Sequence, residues 1–409
     1  MQKFETARDA ALALRPDRPL YAFRPSVLTA DAGAFLSGFR GLTAYAVKTN
    51  GEDFVLDALA RAGVSAFDVA SPAEFAAARR ASGSARLLYM HPVKAQSDVR
   101  LGLETYGIRS IAVDHEDEIA KVLRVVRAQD IPPGDITVFV RLATKGHAAY
   151  ELSKKFGATP AHAVELLRRI DGIGFRAGLT FHVGSQVEDL AAYDRAVATA
   201  AWVRGRAGVP LAELDIGGGF PAPYGHDPKR PAPPPPDLGG LLARIQREID
   251  DWGLGDLPLV AEPGRVIVAR CLSVVVRVLL KKGQRLYIND GIWSSLSDSW
   301  TGKIMLPAQL IPDPARTRAK RNTAPRLAPF RVCGATCDSV DILTRPFWLP
   351  DTVATGDWIE IGHIGAYSLA LRTHFNGFYP NDFVEVAAPF ESTEGLEGVA
   401  NVEPRAAMA

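Results

Sequence analysis

The sequence predicts an α/β protein: a (β/α)8 barrel followed by a second domain built of β-strands. Three observations carry that expectation. Eight short, nearly continuous apolar runs recur between residues 42 and 265. Helical patterns lie between most of them. After Arg265 the alternation stops, and strand-like runs follow one another without helices between.

The eight runs are LTAYAVK (42–48), SAFDVAS (65–71), RLLYMHP (86–92), IRSIAVD (108–114), ITVFVRLA (136–143), FRAGLTFHVG (175–184), LAELDIGGG (211–219) and PLVAEPGR (258–265). They are rich in Val, Ile, Leu, Phe and Tyr, as strands buried on both faces of a parallel sheet are. Among the helices, EDFVLDALARAG (52–63) is amphipathic and stops at Gly63, which suits the position just past a helix end. SPAEFAAARRASG (71–83) opens with Ser71 as N-cap, Pro72 in the first turn and Glu74 at N3. That is a capping box with proline in its favoured place. HEDEIAKVLRVVRAQ (115–129) and PAHAVELLRRID (160–171) keep the rhythm. Eight such units over ~220 residues suit a barrel. A doubly wound open sheet is the structural alternative, which the count of units and the size disfavour.

In the second part, VIVARCLSVVVRVLLKKGQRLYINDG (266–291), APFRVCGATCDSVDIL (328–343) and DWIEIGHIGAYSL (357–369) read as antiparallel strands. The expected division is therefore a segment 1–24 that adds to the β domain, a barrel over 25–268, a β domain over 269–390 and a frayed polar tail over 391–409. PAPYGHDPKRPAPPPP (221–236) is too rich in proline for a helix or ladder and reads as a loop. PDPARTRAKRNTAP (312–325) is basic and polar and also reads as a loop.

Composition narrows the function. The chain has 409 residues, 47% of them apolar and 23% charged, a globular balance with ample core. Lys plus Arg number 47 against 46 for Asp plus Glu, so no basic excess points to nucleic acid or an anionic membrane. No run approaches the ~20 apolar residues of a membrane span. Three cysteines, Cys271, Cys333 and Cys337, argue against a disulfide framework and lack zinc spacing. A cytoplasmic enzyme is the expectation.

In a barrel the chemistry lies at the C-terminal ends of the strands. The residues there are Lys48, Asp68, His91, Asp114, Arg141, His182, Gly217, Gly218, Gly219, Glu262 and Arg265, a polar rim on apolar strands. Lys48 could form a Schiff base with a carbonyl, or simply pair with a neighbouring carboxylate. The three glycines let backbone approach an anion, or merely make a turn. Together with Gly264 and Arg265 after the eighth strand they match the recurrent phosphate site of barrels. Glu262 could hold a heteroaromatic ring nitrogen protonated, which turns the ring into an electron sink. His182, in FHVGSQ, could stack on such a ring or be a satisfied core histidine, and Ser185 could bond the phosphate. These features combined describe a pyridoxal phosphate site.

The motifs AYAVKTN, FDVAS, FHVGSQ, DIGGGFP, EPGR, CDSVD and GAY stand in the order found in fold-type III pyridoxal phosphate decarboxylases. The chain most resembles the ornithine/lysine decarboxylase-like branch, from about residue 20 to 385. The resemblance implies that Lys48 carries pyridoxal 5'-phosphate covalently, with Asp68 the acid near it, Arg141 an active-site arginine and His182 stacked on the ring. It implies Ser185, Gly219, Gly264, Arg265 and Tyr367 as phosphate ligands and Glu262 as the ring-nitrogen partner. It also implies a homodimer with shared sites, in which the second subunit lends Cys337, the proton donor to Cα, and Asp338, which binds a distal ammonium.

Asp338 points to a cationic substrate tail, and thus to ornithine or lysine as the small-molecule substrate. Diaminopimelate decarboxylases typically carry glutamate after this cysteine. The segment NDGIWSSLSDSWTGKIMLP (289–307) corresponds to the family's specificity region. Asp298 is the nearest candidate there for a second amine contact, although its spacing is unusual; the bulky Trp293 and Trp300 either shape a pocket for a modified diamino acid or are core or interface packing. Decarboxylation of diaminopimelate or carboxynorspermidine is the alternative. Racemisation is disfavoured by Glu262, since racemases place an arginine by the ring nitrogen. A catalytically dead homologue is disfavoured by Lys48 and Cys337.

Overall fold

A computed structural model describes residues 1–144, 155–187, 189–231, 233–316 and 324–390. The chain divides into two compact units: a barrel unit, Leu28–Ala222 with Pro235–Val268, and a sheet unit made of Met1–Val27, Pro223–Pro234 and the chain from Ala269 onward.

In the barrel unit, Leu42–Ala46, Ala66–Val69, Arg86–Tyr89, Ser110–Val113, Thr137–Leu142, Arg176–Phe181, Leu211–Asp215 and Leu259–Ala261 pair in parallel and in sequence order. The eighth strand closes on the first through Val260↔Leu42 and Ala261↔Thr43, so an open sheet is excluded. The strands are shorter than the apolar runs that announced them. Lys48 lies in a 3₁₀ turn, Val47–Thr49, just past the first strand, and the three glycines lie beyond the seventh. Runs of apolar residues mark burial, and the rim of a barrel is buried without being strand.

The helices form where expected. Asp53–Arg61 ends before Gly63, whose φ is +100°. In Pro72–Ala81, Ser71 Oγ accepts the Glu74 N–H. Glu74 reaches back one residue further than a standard capping box, accepting the Ala70 N–H at 2.7 Å. Thr159 caps Pro160–Ile173 in the same way.

Small and large side chains alternate inside the barrel. Ala44, Ala66 and Ala112 surround Phe139 with Leu88, Met90 and Val260. Phe139 pairs directly with Gly178 on the next strand. A Cβ at Gly178 would stand 2.6 Å from the Phe139 ring, so glycine is what admits the aromatic there.

The sheet unit holds a nine-stranded sheet among the described residues. It is not purely antiparallel as expected. Asp382–Val386 runs parallel to both Gln2–Phe4 and Leu20–Phe23, and Arg285–Ile288 parallel to Leu327–Cys333. Parallel neighbours need long connections. Strands from opposite ends of the chain have them, a relation no local pattern displays. Three further strand expectations fail. Residues 334–343 make only one isolated bridge, Cys333↔Ile342, and GHIGAYSL forms no strand. VIVARC is a short helix, Arg265–Val268, followed by a 3₁₀ turn, Ala269–Cys271, because an apolar run alone does not separate strand from buried helix.

The proline-rich stretch carries no helix or strand, but it clusters with the sheet unit rather than the barrel. The Gly225 N–H reaches the Met305 carbonyl at 2.9 Å, and His363 Nδ1 donates to the Pro223 carbonyl at 2.8 Å. The tail 391–409 and most of the basic loop, 317–323, lie outside the described residues. Among the described residues no helix is long and apolar enough to cross a membrane.

Candidate active site

The barrel unit brings together most of the strand-end residues. Lys48 Nζ donates to Asp68 Oδ2 at 2.9 Å. The lysine is part-exposed and Asp68 is buried at 3%, so the amine faces open space from a buried acid. Glu262 follows the eighth strand, and its N–H donates to the Gly217 carbonyl at 2.8 Å. Its carboxyl is held well above the usual range by burial first, then by the charges of Asp215 and Asp68, against which Lys48 works. Glu262 Oε1 is buried and receives no hydrogen bond. An unsatisfied buried acceptor of this kind is costly unless a ligand completes it.

His182 Nδ1 accepts the Gly184 N–H at 3.2 Å, which leaves the proton on Nε2. Burial pushes the imidazole well below its ordinary value, with Lys48 and Arg141 adding repulsion, so the ring is neutral at physiological pH. Arg141 is the penultimate residue of the fifth strand, its guanidinium 5.5 Å from the Phe156 ring. The His91 ring lies 5.3 Å from the same ring. Asp114 is engaged structurally, accepting the Gly157 N–H at 2.9 Å.

The opposite end of the site is a bare backbone cradle. Gly217 and Gly219 have φ of +64° and +109°, conformations that L side chains avoid. A Cβ at Gly218 would lie 2.7 Å from the Glu262 carbonyl and 3.0 Å from His182 Nε2. At Gly264 it would strike Thr49 Oγ1, itself a buried hydroxyl without a partner. Arg265 Nε donates to Ser185 Oγ at 3.2 Å. A guanidinium, hydroxyls and uncovered backbone form an anion site, and the orphaned acceptor of Glu262 awaits a protonated ring atom. The residues fit a ring that carries a phosphate and an aldehyde.

Four expected site residues lie in the sheet unit. Cys337 is exposed, and its N–H donates to Asn376 Oδ1 at 3.0 Å. Asp338 is half-buried, and its Oδ1 accepts the Val340 N–H at 3.0 Å. Asp298 is buried in the short helix Ser297–Thr301. Tyr367 adopts φ +55°, a strained conformation for a bulky residue, of the kind found near ligand sites. Among the described residues no group of acidic, histidine or cysteine side chains could hold a metal.

Sequence reading missed Asp215, which ends the seventh strand, next to the one Glu262 follows, and whose charge helps raise the Glu262 carboxyl. The signal was present: an acid directly ahead of DIGGG's glycines, on an apolar strand. It also missed Thr49 and Phe156.

A parallel barrel with an amine, a buried unpaired acid and a phosphate cradle at one mouth defines a cofactor-dependent barrel enzyme. The family of pyridoxal-dependent decarboxylases, through its pyridoxal-binding domain, matches residues 31–269, and the chain belongs to that family; its cofactor is pyridoxal 5'-phosphate. The lysine/ornithine decarboxylase of Selenomonas ruminantium is 32% identical over 349 residues, covering 82% of this chain and 81% of that one. The lysine/ornithine decarboxylase of Vibrio vulnificus complexed with putrescine superposes with a TM-score of 0.75 at 27% identity, over 94% of this chain and 99% of that one. The same enzyme complexed with cadaverine gives 0.76 at 26% identity, over the same shares.

Proposed function

We propose that the protein decarboxylates L-ornithine, L-lysine or both to the corresponding diamine and carbon dioxide. The observation that carries this reading is the Lys48–Asp68 pair at 2.9 Å in electrostatic reach of a buried, unsatisfied Glu262. When bound, pyridoxal phosphate supplies the electron sink for the pair of electrons left on Cα as carbon dioxide departs.

The chain's own residues do the rest. Lys48 Nζ would hold the cofactor aldehyde, with Asp68 receiving and returning protons at that atom. Glu262 would hold the ring nitrogen through Oε1, and neutral His182 would cover one ring face. Gly217, Gly218, Gly219, Gly264, Ser185, Arg265 and Tyr367 would bind the phosphate, and Arg141 would bound the mouth.

Cys337 Sγ supplies the proton that replaces the carboxylate on Cα, and Asp338, with Asp298 as a second candidate, binds the distal ammonium. Support for a site shared between two copies comes from the sheet unit's surface. Cys337, which bonds Asn376, stands by an exposed aromatic stretch with Phe375, Phe378 and Tyr379, an apolar area of the kind a second copy would cover. All three cysteines are free, which supports a cytoplasmic setting.

Incubating the cofactor-loaded protein with L-ornithine, L-lysine and meso-diaminopimelate, with mass-spectrometric detection of amines, tests the reading. Putrescine or cadaverine is the expected product; amine from neither basic substrate overturns it. Mixing Lys48→Ala with Cys337→Ala dimers should restore part of the activity, and no restoration would show that each site is made by one chain.

A further inference from the structure

Asp215 has no part in the chemistry above, yet it is fully buried among the site's charges. Its Oδ2 accepts from Thr180 Oγ1 at 2.7 Å, and its Oδ1 accepts the Gly217 N–H at 2.9 Å. Glu262 follows the strand paired with its own, and the Asp215 charge helps raise the Glu262 carboxyl. Gly217 joins the two acids, because its carbonyl accepts the Glu262 N–H. Two carboxyls this close cannot both ionise cheaply in a buried site. The donors decide where the proton sits. Asp215 receives two, which favour its anion, whereas Oε1 of Glu262 receives none. The other charged groups in reach are Asp68, which pushes both acids toward protonation, and Lys48, which opposes it at Glu262.

We propose that Asp215 is a positioning residue for the decarboxylation: as an anion it keeps one proton on Glu262 and aims Oε1 of that residue at the cofactor's ring nitrogen. The proposal rests on the reading of Glu262 as the ring-nitrogen partner. The protons balance. Before loading, Asp215 and Glu262 hold one proton between them, on Glu262. After loading that proton would be shared with the ring nitrogen through Oε1 of Glu262, and the Asp215 charge behind Glu262 would make that nitrogen more basic and the sink deeper. If Asp215 served only to anchor the glycine turn, replacing its charge would not touch the titration of Glu262.

Infrared difference spectroscopy of the full-length chain, before and after cofactor loading, separates these roles. The wild-type protein without cofactor should show at neutral pH a protonated-carboxyl C=O stretch that is missing in Glu262→Gln and that loading removes. In Asp215→Asn the midpoint at which this band titrates should fall by about one pH unit or more, a tenfold loss of proton affinity. In the loaded enzyme kcat should drop while KM changes little. Should Asp215→Asn fail to fold, Thr180→Val removes one donor to the Asp215 anion and should move the proton toward Asp215, so the band that Glu262→Gln abolishes weakens. An unchanged midpoint in Asp215→Asn or, where that variant does not fold, an unchanged Glu262 band in Thr180→Val overturns the proposal, even where Glu262→Gln is inactive. A Glu262→Gln enzyme with normal activity instead overturns the underlying reading of Glu262.

Discussion

Lys48 Nζ and Asp68 Oδ2 lie 2.9 Å apart, the lysine part-exposed and the aspartate buried. The two are neighbours only because the first and second barrel strands pair in register, Ala46 opposite Asp68. The acid therefore orients the amine at the barrel mouth.

Asp68→Asn keeps the shape of that contact and removes its charge. The expected outcome is a fall in kcat of about tenfold to a hundredfold, or about 1.4–2.7 kcal/mol of barrel-mouth stabilisation, with the visible cofactor absorbance retained. Lys48→Ala should remove both activity and the cofactor adduct fixed by borohydride. Steady-state kinetics and peptide mapping of the reduced protein check the two variants together.

Gly178→Ala drives a methyl group against the Phe139 ring, 2.6 Å away on the paired strand. Overpacking of this kind costs about 1–3 kcal/mol. Chemical denaturation should show that loss, and Phe139→Leu introduced on top of Gly178→Ala should recover part of it. Full stability in the single variant would mean the barrel core yields more than a packed interior does.

Glu74 carries a pH signature. Burial, helped by the charge of Asp68, pushes its carboxyl up to about 7 from 4.5. The folded state then binds its proton more tightly than the unfolded chain. Stability from this group is intact below about pH 4.5 and is lost as the pH rises through 7. Glu74→Gln should raise the unfolding free energy at pH 8 but not at pH 5, by on the order of 1 kcal/mol given its partial exposure, with Tm rising at pH 8 alone. Equal shifts at both pH values would rule the titration out.

Arg24 in the sheet unit is buried at 1%. It donates to Glu360 Oε1 at 2.7 Å and to Ser273 Oγ at 2.9 Å, while Gln309 Nε2 holds Glu360 Oε2 at 2.6 Å. Arg24→Met leaves the Glu360 charge uncompensated and should cost about 3–5 kcal/mol. Adding Glu360→Gln should return much of that, because the penalty lies in the stranded charge. A calorimetric comparison of the single and double variants decides it.

Much of this protein was legible in one dimension. Eight apolar runs separated by capped helices specify a parallel barrel, since each strand must be buried on both faces and each helix on one. Ser71, Pro72 and Glu74 announced a helix start that the structure places there. The strand-end polar residues, and the order of motifs around Lys48, Glu262 and Arg265, announced the family and its cofactor.

What the sequence could not display is pairing between distant segments. The parallel course of Asp382–Val386 beside Gln2–Phe4 and Leu20–Phe23 leaves no local trace, because a hydrogen-bonded ladder has no periodicity of its own to reveal its partner. The same holds for Asp215 and Glu262, which are 47 positions apart and meet only because their strands are barrel neighbours. Residue types alone determined that acids and an amine would gather at the mouth. Only the closed barrel decided which acid lies beside which, because burial and proximity, not identity, set where a proton resides.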